Sequence, residues 1–211
     1  MSGLVALAII FGGTATYDSI ARSFAPATFH LAPESGRPAR TVSVEIAGLT
    51  GYHEAWFGYV TGDRPGPPVS SDALLFTSDE YAHMVDVRRV FVAFRLAAAA
   101  AGILGLVLVT RAGGRRRRAA LLLIRDAALA AAAGVALVAF GAAIAFDPLF
   151  LLFHKVFFPQ GNFLFGPDSN LLAVYPDQYW YGVTLRIGVT FAVATGCIAL
   201  AATATLRQAR R

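Results

Sequence analysis

Three apolar runs, each long enough to cross a bilayer and each flanked by arginine, leave this chain few folds to choose from. Residues 90–110, 119–146 and 181–206 are almost unbroken stretches of small and aliphatic side chains. About 20 such residues in a helix span the ~30 Å hydrocarbon layer, where every backbone N–H and C=O must be satisfied within the helix. A fourth run, residues 4–24, opens as LVALAIIFGG and turns polar at Thr14, Tyr17 and Asp18. It lacks the basic flank and small-residue cleavage site of a secretory signal, so it reads as an uncleaved first span. Being short for that purpose, it leads us to expect a translation start slightly upstream. The expected architecture is an all-α membrane protein, a four-helix transmembrane bundle forming one integral membrane domain.

Composition supports this: 56% of the 211 residues are hydrophobic, 15% are charged and the mean hydropathy is +0.58. The net charge of +5 does not point to nucleic acid, because the arginines flank apolar runs instead of interleaving with polar sequence. Cys197, the only cysteine, lies inside the last run. It excludes a disulfide framework and is expected to be a small buried hydrophobe.

Orientation follows from where the positive charge sits. RAGGRRRR at 111–118, expected to be a tight turn, and RQARR at the end carry eight arginines and no acid. Both are therefore expected in the cytoplasm, and four spans place both termini there. Segments 25–89 and 147–180 then lie outside. In the first, TVSVEIAG alternates as a short strand would, and GYHEAWFGYVTG reads as an amphipathic helix ended by Gly62. Its Tyr52, Trp56, Phe57 and Tyr59 suggest a helix resting on the membrane interface. Thr77 with Glu80 forms a capping box, so a helix starts there and is expected to run into the second span. In the other outer segment, Asp147 as N-cap and Pro148 at the first helical position start a short Phe-rich helix, which Pro159-Gln160-Gly161 stops. It spans only half a bilayer and should be interfacial.

No serine-nucleophile motif is present, which turns attention to the four histidines. His30 and His53 read as solvated or interfacial side chains. His83 and His154 sit in the two outer segments that border spans, where an imidazole is suited to acid–base work on a lipid. Arg88 or Lys155 would steady a developing oxyanion, and Asp86 would orient His83. Glu80, His83 and Asp86, joined by His154, also admit a metal site, although H-E-x-x-H is absent. A metal-dependent hydrolase and a non-catalytic, partner-binding protein are the alternatives.

The block FTSDEYAHMVDVRRVF around His83 and the block FDPLFLLFHKVFFPQGNFLFGPDSNLLAVYPDQYW around His154 resemble the small four-span bacterial membrane family of lipoprotein intramolecular transacylases. IAGLTGYHEAWFGYVTG in the first outer segment fits the same pattern. The resemblance implies a multi-pass enzyme of the bacterial cytoplasmic membrane, with its site on the extracytoplasmic face. Its substrate would be a diacylated lipoprotein among membrane lipids, with no cofactor and no nucleic-acid partner. It would move the sn-2 acyl chain of an S-diacylglyceryl cysteine to that cysteine's α-amino group. His154 and His83 would be the catalytic pair, His154 favoured as base, with Asp86, Arg88 and Asn162 in support.

Overall fold

The computed structural model describes residues 2–32, 38–68, 75–115 and 117–208. Helices α1 (Ser2–Phe11) and α2 (Thr14–Ala21) precede an antiparallel hairpin of β1 (Ala27–Leu31) and β2 (Arg40–Val44). The hairpin register pairs Phe29 with Val42. Then come α3 (Ile46–Thr61), the long α4 (Ser78–Arg115), α5 (Arg117–Ile144), α6 (Phe146–Phe157), the short α7 (Asn170–Val174) and α8 (Asp177–Gln208). Three helices are long and apolar enough to cross a membrane: α4 over Ser78–Arg111, α5 and α8. Their large apolar side chains face outward, Leu96 at 68%, Leu137 at 72% and Leu200 at 71% exposed. Each would lose about 1.5–3 kcal/mol of transfer free energy in water, so the surface they form belongs in lipid.

The chain divides into two compact units. One gathers Met1–Ala8, Phe94–Asp147 and Thr184–Arg211, the apolar lengths of the helices. Within it α5 and α8 approach closely, since a Cβ on Gly188 would lie 3.9 Å from that of Ala139. The other unit is Ile9–Ala93 with Pro148–Val183. Its core is built on α3, where Leu49, His53, Trp56 and Val60 recur at helical spacing and are all buried. Tyr17 of α2, Phe29 of β1, Phe76 and Val174 complete this core. The C-terminus of α3 is closed by Gly62 at φ 94°, a left-handed cap in which its N–H reaches the carbonyls of Gly58 and Tyr59.

Several expectations are corrected. The hairpin makes the fold mostly helical instead of all-α; its second strand is where TVSV suggested one. The aromatic face of α3 is core: Trp56 is fully buried and Tyr59 nearly so, packed against Phe76 and Tyr81. Interfacial and core aromatic stripes have the same spacing, which is why the sequence misled. The opening run is two helices broken at Gly12–Gly13, with α2 packed on α3. Gly12 leaves its carbonyl free to accept from His53 Nε2 at 2.8 Å. Helix α4 continues through the arginine-rich stretch to Arg115, where a tight turn was expected. Helix α8 starts at Asp177, four residues early, and Cys197 is exposed, not buried. Helix α6 starts at Phe146, so Asp147 lies in its first turn, where a carboxylate still favours the helix dipole.

Candidate active site

The helix that carries His83 is tied down at its first turn. Thr77 Oγ1 accepts the Glu80 N–H at 3.2 Å, and Glu80 Oε2 accepts the Thr77 N–H at 2.6 Å, completing the capping box. The other carboxylate oxygen, Oε1, accepts from Ser169 Oγ at 2.5 Å and from the Leu171 N–H at 2.9 Å. Glu80 is 1% exposed, so three donors on one buried carboxylate clasp α4 to the start of α7. Beside it, buried Asn170 donates through Nδ2 to the carbonyls of His30 and Leu75, and accepts the His30 N–H at Oδ1. The two segments expected to carry the chemistry are thus fastened to each other by hydrogen bonds made in the dry interior of the unit.

One turn beyond Glu80, His83 is 6% exposed. His154 sits one turn from the end of α6 and is half-buried. The two imidazoles meet: their centroids are 5.9 Å apart and their planes 22° from parallel. Phe158 and Phe165 pack on His83, at 4.8 and 5.5 Å between centroids. Phe150, Phe153 and Phe163 surround His154 at 4.3, 5.5 and 5.2 Å. His154 Nδ1 lies 2.8 Å from the Phe150 carbonyl, which only accepts, so Nδ1 carries the proton and Nε2 is left as the lone pair. Burial lowers the pKa of His154 below the ordinary 6.5, and the Phe150 carbonyl opposes that shift in part. Among the described residues His83 Nδ1 is buried with no hydrogen-bond partner, inside an aromatic wall.

The supporting residues divide. Asp86 and Asn162 come to the pair: Asp86 Oδ2 accepts from Asn162 Nδ2 at 2.9 Å and from Gln160 Nε2 at 2.6 Å, while Oδ1 accepts from Arg89 at 2.7 Å. Burial and the facing His154 press the His83 pKa down to about 4, and Asn162 and the Asp86 carboxylate oppose that shift. Arg88 is engaged elsewhere, donating to the carbonyls of Tyr59 and Arg64 and lying over the Tyr59 ring. Lys155 is exposed on the next position of α6. Ser169, Asn170 and Gln160 were not singled out as site residues. Glu80 had shown its capping signature and a place in the metal alternative, and Gln160 read as part of a helix stop. Gly161 between Gln160 and Asn162 is at φ 81°, a left-handed turn that brings both amides onto Asp86.

The carboxylates that a metal would need are already occupied as acceptors, Glu80 and Asp86 with three donors each. Among the described residues no group of three or more His, Cys, Asp or Glu side chains is placed to hold a metal ion. His53, expected at the surface, is instead fully buried. It donates from Nε2 to Gly12, accepts from the Tyr175 hydroxyl at Nδ1, and stacks on Tyr17 at 4.1 Å. Burial presses its pKa down to about 4. His30 remains partly exposed, 3.6 Å from Asp168.

Three long helices with outward-facing apolar side chains define a membrane-integral protein, and two imidazoles face each other in its other unit. Sequence comparison makes the assignment particular: the chain belongs to the lipoprotein intramolecular transacylase family, Lit, whose family model matches residues 41–180 and so spans both histidines. It is accordingly an enzyme of that family. Its fold is similar to that of the membrane-integral lipoprotein intramolecular transacylase Lit from Bacillus cereus, solved in meso. The TM-score is 0.62 at 15% identity, covering 100% of this chain and 91% of that one. No functionally curated protein matches the chain significantly.

Proposed function

We propose that this protein transfers the sn-2 acyl chain of an S-diacylglyceryl cysteine lipoprotein to the α-amino group of the same cysteine. The product is an N-acyl, S-monoacylglyceryl lipoprotein. With an ammonium pKa near 8 the α-amino group is partly neutral at physiological pH, and His154 Nε2 takes the proton that this neutral amine sheds as its nitrogen attacks. The amine nitrogen attacks the ester carbonyl, forming a C–N bond and a tetrahedral oxyanion, which His83 steadies from the facing side. Collapse breaks the ester C–O bond, and the imidazolium returns its proton to the departing glycerol oxygen. Donor and acceptor are on one substrate, so no acyl-enzyme is required; the protein has only to fold the substrate back on itself.

The observation that carries this reading is the 5.9 Å approach of the two imidazoles, with His154 Nδ1 engaged by Phe150 and Nε2 left as the base. Asp86 and Asn162 support His83. We further read the chain as one integral membrane domain of the bacterial cytoplasmic membrane, with four crossings, both termini cytoplasmic, α6 at the interface and the site outside.

The test is conversion of a diacylated lipoprotein by the protein in membranes, followed by mass spectrometry of the substrate's N-terminal peptide. His154→Ala and His83→Ala are each expected to lower the rate by about 10²-fold or more, as removal of general acid–base catalysis does. Full conversion by both variants would overturn the mechanism.

A further inference from the structure

The amides on either side of Gly161 share one carboxylate, and their geometry decides which way Asn162 faces. Asn162 has a donor end and an acceptor end, and an imidazole beside it receives opposite instructions from the two. Nδ2 is committed to Asp86 Oδ2 at 2.9 Å. Gln160 Nε2 donates both to the same Asp86 oxygen, at 2.6 Å, and to Asn162 Oδ1, at 3.2 Å. A flipped Asn162 would set its NH2 against the Gln160 NH2 and its carbonyl against the Asp86 carboxylate, two repulsions in place of two bonds. The amide is therefore held with its nitrogen on Asp86 and its oxygen on the other side. Arg89, at 2.7 Å from Asp86 Oδ1, holds the carboxylate itself.

We propose that Gln160 is a positioning residue for the acyl transfer: by bridging Asp86 and Asn162 it locks the Asn162 amide in one orientation beside His83. This rests on the histidine mechanism above. Gln160 is exposed and is not part of the buried core, so its effect is on geometry at the pair and not on folding. It acts only through Asn162, and its contribution vanishes when Asn162 can no longer be oriented.

The same lipoprotein conversion, measured for the membrane-embedded protein at several substrate concentrations, tests this. Gln160→Ala is expected to lower kcat about tenfold with KM unchanged, a loss typical of partial misalignment. Gln160→Glu keeps the shape but replaces the bridging NH2 with a carboxylate, and is expected to lose at least as much. In an Asn162→Ala background, Gln160→Ala should cost nothing further, the non-additivity of residues that act in series. Wild-type rates in Gln160→Ala or Gln160→Glu, a change confined to KM, or losses that add in the double variant would each overturn the proposal. If His83→Ala and His154→Ala abolish conversion while Gln160→Ala does not, Gln160 alone loses its role. If the histidine variants retain full conversion, the mechanism itself is wrong.

Discussion

At the scale of single residues, the proposed mechanism depends on what each imidazole has already committed. His154 must be neutral to act as base, and burial holds its pKa below 6.5. The acid limb of the kcat/KM profile is therefore expected below pH 6.5, with activity falling as pH drops through that depressed value. A limb lying above 6.5 in the pH–rate profile would argue against His154 as the base. His53 carries the same physics into stability. Folded, it titrates at about 4; unfolded, at 6.5. The unfolded state binds more protons below pH 6.5, so the contribution is complete above that value and is lost as pH falls toward 4. The slope approaches ~1.4 kcal/mol per pH unit. Melting of the detergent-solubilised protein should show this fall between pH 6.5 and 4, and His53→Gln should flatten it. The sequence pointed to His83 and His154 because each sits in a polar-flanked block beside a long apolar run. What each nitrogen touches was not legible there: the Phe150 carbonyl is supplied by helix geometry, and Gln160 reaches Asp86 across 74 residues of chain.

Secondary-structure elements meet at Glu80. Its carboxylate joins the first turn of α4 to Ser169 and Leu171 at the start of α7. Glu80→Ala leaves three donors without their acceptor, and at about 1–3 kcal/mol for each donor that stays dry it is expected to destabilise by ~3 kcal/mol. Glu80→Gln retains one acceptor oxygen and should cost less. Thermal unfolding in detergent checks the order, and an unchanged melting temperature for Glu80→Ala would remove the clasp from the account. The capping box was readable from Thr77 and Glu80, since both partners lie within one turn. The second oxygen of Glu80 was free to point anywhere until α7 was brought beside it. Helix α3 gives the opposite lesson: its start, its aromatic stripe and its Gly62 cap were all visible, yet the stripe packs on protein, not on lipid.

Across the whole molecule, the distribution of arginine argues for orientation. With Cys197 replaced by Ser, a cysteine at Gly66 is expected to react with a membrane-impermeant maleimide in intact cells. One at Gln208 is expected to react only after permeabilisation. The reverse pattern would invert the assigned face of the site. Membrane residence, the three long helices, the Thr77–Glu80 and Gly62 caps and the two histidine blocks were determined by the sequence alone. Each depends on local composition or on residues within a turn or two of one another. The break at Gly12–Gly13, the burial of α3, the meeting of His83 with His154 and the Asp86–Asn162–Gln160 bridge were decided only by the tertiary structure. These involve contacts between segments as many as 122 residues apart, and burial and hydrogen-bond direction are properties of what lies on the other side of the contact.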